Sequence, residues 1–237
     1  MKKNIITEYY RGYEIEIVDN EFPDVILYAL NVKQIDIIRP VFPISLSPER
    51  QKKLNNYSGD LDKKLLLGSE LLFDYGIKRL YPHINSENAG RLQGTYGKPY
   101  VRNHPEIYFN ISHAGEYSVC SFSRRAVGVD IEHLEPIKEI DLQVAKRYFC
   151  KTEYMEILNA NTPQAQERLF YGIWTMKESF VKALGIGLNL NLNSFSFQKY
   201  KDSNIKIVHQ NVNQHKYIIQ QKHLNNNYIL SICVEST

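Results

Sequence analysis

Surplus charge, paired cysteines, long apolar runs and flexible linkers are all missing from this chain. Lys and Arg number 29 against 26 Asp and Glu, a net charge of +3. No general affinity for nucleic acid or membrane follows from that balance. Only Cys120, Cys150 and Cys233 are present. They are far apart, odd in number and without metal-ligand spacing, which fits a reducing compartment. Cys120 and Cys233 lie in apolar runs and read as buried thiols. No segment approaches a membrane span. The start, Met1 to Glu8, has two lysines but no apolar stretch of signal-peptide length, so the expected location is the cytoplasm. Without a Pro-, Gly- or Ser-rich linker, the parts are expected to pack as one body.

What is there suffices for a sizeable core: 237 residues, 43% apolar. That fits one large domain or two small ones. Asp24 to Val32 reads as a strand. Ser47-Pro48-Glu49 starts a helix with a capping Ser, Pro in the first turn and an acid. Asp60 to Gly76 reads as a second helix stopped by Gly76. Ile107 to Ile111 and Tyr117 to Phe122 read as strands around His113-Ala114-Gly115-Glu116. The second half repeats this order. It has a strand from Val127 to Glu132, helices from Asp141, Thr152 and Gln164, and strands at 194–200, 205–209, 216–220 and 228–234. Gly185 ends the longest helix as Gly76 ends its counterpart, and Tyr117 to Phe122 echoes Tyr228 to Cys233. Either an internal duplication or chance similarity between two α+β halves accounts for this. A duplication places a cleft between the halves, where pockets form. The halves are taken as 1–125 and 126–237.

The chemistry concentrates in two places. In Ala126-Val127-Gly128-Val129-Asp130-Ile131-Glu132, alternation puts Asp130 and Glu132 on one face and Val127, Val129 and Ile131 on the other. Gly128 shares the acidic face and is expected to leave it open. Two adjacent carboxylates repel unless a cation sits between them, which suits Mg²⁺ and phosphate chemistry. In the long helix, Trp174, Glu178 and Lys182 recur every four residues and form one stripe. Alone, Glu178 and Lys182 are an ordinary surface pair; with Asp130 and Glu132, Glu178 completes a three-carboxylate site. Upstream, Gly97-Lys98-Pro99 and Asn110-Ile111-Ser112-His113 offer Lys, Ser and His that can bind phosphate. Ser112 and His113 point to opposite strand faces and so form no catalytic pair. Arg50, Lys52, Lys53, Lys63 and Lys64 cluster within fifteen residues, either as an anion patch or as a solvated helix face.

Taken together, Val127 to Glu132, Trp174 to Gly185, Arg147 to Tyr154, Gly97-Lys98-Pro99 and Asn110 to His113 resemble the Sfp-type 4′-phosphopantetheinyl transferases, with five motifs in family order. The resemblance spans roughly Ser47 to Leu192; residues 1 to 23 lie outside it and carry no assigned role. It implies an α+β pseudo-dimer of two similar halves with the active cleft between them. The first half would bind coenzyme A and the second would bind Mg²⁺ and be catalytic. The implied reaction moves the phosphopantetheine arm of coenzyme A onto a serine of an apo acyl or peptidyl carrier protein, leaving adenosine 3′,5′-bisphosphate. Asp130, Glu132 and Glu178 would hold Mg²⁺ against the pyrophosphate, Glu178 being also the candidate base. Lys182 would stabilise or protonate the leaving phosphate, with Lys177 as a helper. Lys98, Ser112 and His113 would hold the adenosine end, and Arg50, Lys53 and Lys64 its 3′-phosphate. The family often has Arg where Lys64 stands, and the preceding segment is one residue shorter here, so Lys63 is an alternative. Lys146, Arg147 and Lys151, with Tyr148 and Met155, would face the acidic carrier. Glu153 reads as a helix-start acid. A monomer is expected, without nucleic-acid or membrane partners. The pathways served by such chains include nonribosomal peptides, polyketides, antibiotics, siderophores, fatty acids and lysine. Competing readings are a Mg²⁺-dependent nuclease, disfavoured by the small net charge, and a non-catalytic coenzyme-A-binding module, disfavoured by the intact acids and Lys182.

Overall fold

Alternation and turn chemistry build the first sheet. A computed structural model describes residues 6–37, 44, 46–84, 89–199, 205–209 and 216–236. The early residues 1–5, with Lys2 and Lys3, and Tyr200, the expected end of a strand, lie outside the described residues. The chain divides into two compact units, Met1–Gly94 with Pro99–Arg124, and Thr95–Lys98 with Arg125–Thr237. Both mix helix with antiparallel sheet.

In the first unit, strands β1 (Ile6–Tyr10) and β2 (Tyr13–Val18) form a hairpin over Arg11 and Gly12, both at positive φ. The two-residue turn suits the twist of the flanking strands. This hairpin was not expected, although Arg11-Gly12 beside alternating Tyr13-Glu14-Ile15-Glu16-Ile17 is its signal. After β3 (Val25–Asn31) come α1 (Pro48–Asn56) and α2 (Asp60–Leu80). The Ser47 hydroxyl accepts from the Arg50 N–H, as its cap role requires. A small two-stranded sheet of β4 (Arg91–Gln93) and β5 (Pro99–Val101) precedes β6 (Tyr108–Ala114) and β7 (Tyr117–Ser123). The main sheet runs β1-β2-β3-β7-β6, with α2 against β7 and β3.

Gly76 does not end α2. It lies inside the helix, where any Cβ would collide with the Phe122 ring. It is therefore a packing glycine, and its correspondence with Gly185 fails.

The second unit starts with β8 (Val127–His133), followed by α3 (Glu139–Tyr148), α4 (Lys151–Leu158) and α5 (Pro163–Leu184). Strands β9 (Phe195–Lys199), β10 (Ile205–His209), β11 (Tyr217–His223) and β12 (Tyr228–Glu235) complete a sheet ordered β8-β12-β11-β10-β9. Helix α5 has a clear start and stop. Thr162 caps it by accepting from Ala165 N–H, and Pro163 opens it. Gly185 then takes the left-handed conformation at φ 72° and donates back to the Val181 carbonyl. Its apolar side buries Phe170, Ile173, Met176, Phe180 and Val181. The thiols of Cys120 and Cys233 are buried, as expected.

Candidate active site

In the second unit α5 packs directly on β8, the strand that carries Asp130 and Glu132. Gly172, Thr175, Ser179 and Ala183 are all buried along one side of the helix. Their spacing of three or four residues makes a stripe of small side chains. Gly128 completes the approach: a Cβ there would collide with the Ser179 carbonyl and the Ala183 N–H. Gly128 thus receives the helix backbone instead of leaving the acidic face open, which corrects the expectation. The Thr175 hydroxyl and the Ser231 hydroxyl of β12 bond across the contact at 2.9 Å.

One residue earlier on each turn runs the half-buried stripe Trp174, Glu178 and Lys182. It meets the helix-facing side of β8. Lys182 Nζ donates to Asp130 Oδ1 at 2.5 Å, and Asp130 itself is buried. Glu132 is pushed up to about 7, first by burial and then by the charge of Asp130, with Glu178 adding to it. Lys182 opposes that rise, and so does a hydrogen bond from Trp174. Glu178 is raised as well, by burial and then by Asp130. Asp130, Glu132, Glu178 and Lys182 are therefore electrostatically coupled, and Trp174 joins them.

Like charges forced together in a partly dry site lower their energy by taking up protons or a cation. The carboxylates are hard oxygen donors and fit Mg²⁺, which is usually held by one or two carboxylates plus water and phosphate oxygens rather than by a protein cage. The expected closed set of three is not assembled. Among the described residues no three His, Cys, Asp or Glu are grouped to hold one ion, and the Lys182 ammonium rests on Asp130.

Other expected residues lie elsewhere. Lys177 is fully buried, paired with Glu153 Oε2 at 2.9 Å and donating to the carbonyls of Leu192 and Phe195. The Phe195 ring centroid is 4.4 Å from its Nζ. Burial lowers its pKa against the pull of Glu153. Successive helix residues point about 100° apart, so a neighbour of Glu178 in sequence faces the interior. Lys177 is thus a core residue rather than a phosphate helper. Glu153 also accepts from Cys150 N–H, the helix-start role read for it. Lys98 bonds the main-chain carbonyls of Ala183 and Val127, so its ammonium does not stand open to an adenosine group.

In the first unit, Arg50 Nε lies 2.6 Å from Glu70 Oε1, and Arg91 reaches the same oxygen. Burial, then Arg50, pushes Arg91 down to about 9. Arg50 is thus engaged by a carboxylate instead of standing free for a phosphate. Lys52 and Lys53 are exposed, while Lys63 and Lys64 are partly so. Ser112, buried, and His113, exposed, sit at successive positions of β6 and point to opposite faces.

The model of the 4′-phosphopantetheinyl transferase superfamily matches residues 126–233. The transferase Sfp of Bacillus subtilis (strain 168) is 35% identical over 162 residues, 68% of this chain and 70% of the relative. The chain belongs to the Sfp-type 4′-phosphopantetheinyl transferase family. The 4′-phosphopantetheinyl transferase gsp of Aneurinibacillus migulanus is 38% identical over 142 residues, covering 60% of this chain and 56% of that protein. A second Bacillus subtilis transferase is 35% identical over 143 residues, with 61% of its length covered. The solved holo-[acyl-carrier-protein] synthase of Thermotoga maritima overlays 47% of this chain and 63% of its own at a TM-score of 0.37 and 20% identity, a slight likeness. The family match covers both the Asp130–Glu132 strand and the Glu178–Lys182 helix, so the coupled groups described above lie inside the shared segment.

Proposed function

We propose that the cluster of Asp130, Glu132, Glu178 and Lys182 is where the diphosphate of coenzyme A is cleaved by a carrier-protein serine. As a member of its family the chain is a 4′-phosphopantetheinyl transferase acting on coenzyme A and a carrier protein. The seryl oxygen forms a bond to the phosphorus that bears pantetheine. The bond from that phosphorus to the bridging oxygen breaks, and adenosine 3′,5′-bisphosphate leaves.

Each residue has a physical reason for its part. Glu178 is raised by burial and by Asp130, so it accepts the seryl proton more readily than an ordinary carboxylate. Lys182 sits beside Asp130 and can donate to, or neutralise, the leaving phosphate. Asp130 and Glu132 are the proposed holders of Mg²⁺, with Glu178 serving as ligand or as base. When bound, the ion supplies positive charge to the diphosphate oxygens. Trp174, on the stripe of Glu178 and Lys182, lies beside Glu132 and opposes the rise of its pKa.

For the adenosine end, Lys53, Lys63 or Lys64, Ser112 and His113 of the first unit are the proposed contacts, each as a point charge or short donor. For the carrier, Lys146, Arg147 and Lys151 are exposed and Met155 is 42% exposed. A groove of about 760 Å³ beside them is lined by Lys151, Met155 and Leu169 among others. Basic heads over apolar stems suit an acidic amphipathic helix.

The observation that carries this reading is the meeting of two stripes, Asp130 with Glu132 and Glu178 with Lys182, across a glycine-fitted contact. The test is to incubate the protein with Mg²⁺, coenzyme A and a panel of apo carriers, then weigh the carriers. A gain of one phosphopantetheine is expected, and only with Mg²⁺ present. Cleavage of DNA or RNA without any gain would replace the reading with a nuclease.

A further inference from the structure

Lys98 touches both elements that carry the cluster. Its Nζ donates to the Ala183 carbonyl at 2.6 Å, in the last turn of α5, and to the Val127 carbonyl at 3.3 Å, where β8 begins. Ala183 follows Lys182 in sequence, and Val127 stands three residues before Asp130. The last carbonyls of a helix lack intrahelical partners and carry the negative end of its dipole. An ammonium placed there satisfies an orphan acceptor and binds it to a strand in one contact.

The surroundings are fitted to this side chain. A Cβ on Gly185 would lie 2.7 Å from Lys98 Cδ, and one on Gly187 would lie 3.3 Å from the Tyr96 carbonyl. Both glycines have positive φ. Gly185-Ile186-Gly187 is therefore shaped both to stop α5 and to admit the segment Thr95–Lys98, which belongs to the second unit. Burial pushes Lys98 down to about 8, so it is held there against a desolvation cost.

We infer that Lys98 is a positioning residue of the transfer reaction, fixing α5 against β8 and with it the placement of Lys182 against Asp130. This rests on the reading of the cluster given above. It assigns the Lys98 side chain to the enzyme's own backbone rather than to coenzyme A.

The test compares wild type, Lys98→Met and Lys98→Arg. Met keeps the apolar stem and loses the donors; Arg keeps donors near the same reach. For Lys98→Met, kcat is expected to fall about tenfold, in the range seen when a supporting partner of a site is removed. KM for coenzyme A should stay within about twofold, as for a group that does not bind the substrate itself. Lys98→Arg should recover part of kcat. Deuterium exchange of amides 181–184 should quicken in Lys98→Met, because the last turn loses its tie. A rise in KM at unchanged kcat would overturn the inference and make Lys98 a coenzyme contact; no change in either would overturn it as well. If Lys98→Met is insoluble, Lys98→Gln is measured with the same expectations. Wild type that modifies no carrier sinks the functional reading instead. The exchange measurement then decides the tie alone, and unchanged exchange rejects it.

Discussion

The two units repeat one arrangement of strand, helix and hairpin, each around its own core, but use it differently. In each, a strand leads to a long helix and then to a hairpin whose last strand pairs with the first: β3, α2, β6 and β7 in one, β8, α5, β11 and β12 in the other. The helix-facing side of β3 presents Ile26, Tyr28 and Leu30, opposite Phe122, Cys120 and Ser118. The same side of β8 presents Gly128, Asp130 and Glu132, opposite Cys233, Ser231 and Ile229. One strand fills its helix contact with apolar bulk. The other gives up bulk at Gly128 and places two acids where a core would be. The sheets also grow on different sides. The β1–β2 hairpin covers β3, whereas β9 and β10 extend from β11 and leave β8 at the edge of its own sheet. The lesson is that a shared fold fixes where a strand and helix meet, and side chains decide whether that meeting is a core or a site.

Substitutions in equivalent places should break the likeness, the largest effect first. Asp130→Ala is expected to reduce transfer by about 10²–10³-fold, the scale of losing one preorganised electrostatic group, with the fold retained by circular dichroism. Leu30→Ala, on the matching face of β3 at the place that Glu132 takes on β8, should leave kcat unchanged and destabilise the first unit by about 2–5 kcal/mol in denaturant melts. Lys177→Met removes the partner of buried Glu153 and should destabilise the protein by about 3–5 kcal/mol, measured the same way. Gly128→Ala forces α5 off β8 and should cost about 1–3 kcal/mol while also lowering kcat. Gly76→Ala, pressed on the Phe122 ring, should cost a similar amount and leave kcat alone.

The smallest effect is a pH dependence confined to the second unit. Glu132 and Glu178 are raised above their ordinary value of 4.5, Glu132 to about 7. Between about 4.5 and 7 the folded chain therefore holds more protons than the unfolded chain. Their contribution to stability is fully present below the lower value and is lost as pH rises through the upper one. In Mg²⁺-free buffer, melting temperature should drop across that window, and Asp130→Asn should flatten the drop. A flat profile in wild type would contradict the coupling.

Much of this was legible from the residues. Period-two and period-four spacing placed Asp130, Glu132, Glu178 and Lys182, since side-chain direction follows from backbone type alone. The Gly185 stop likewise marks α5, while its start, expected at Gln164, is set by the Thr162 cap and Pro163. Tertiary approach was not legible. Gly76 and Gly128 look like a stop and an opening in one dimension, but their lack of a Cβ serves a ring and a helix backbone that arrive from far along the chain. Lys177 and Lys98 look like surface cations for the same reason: nothing local says that carbonyls of Leu192, Phe195, Ala183 and Val127 will surround them. The β1–β2 hairpin is legible in its turn dipeptide but lies outside the segment of family resemblance.

Trp174 is the chain's only tryptophan and touches Glu132, so its fluorescence reports on the acids directly. Titrating it with pH should give a transition near 7 that moves to lower pH in Asp130→Asn, and again when Mg²⁺ and coenzyme A are added to wild type. A transition indifferent to Asp130→Asn and to both ligands would contradict a shared charge site at the diphosphate.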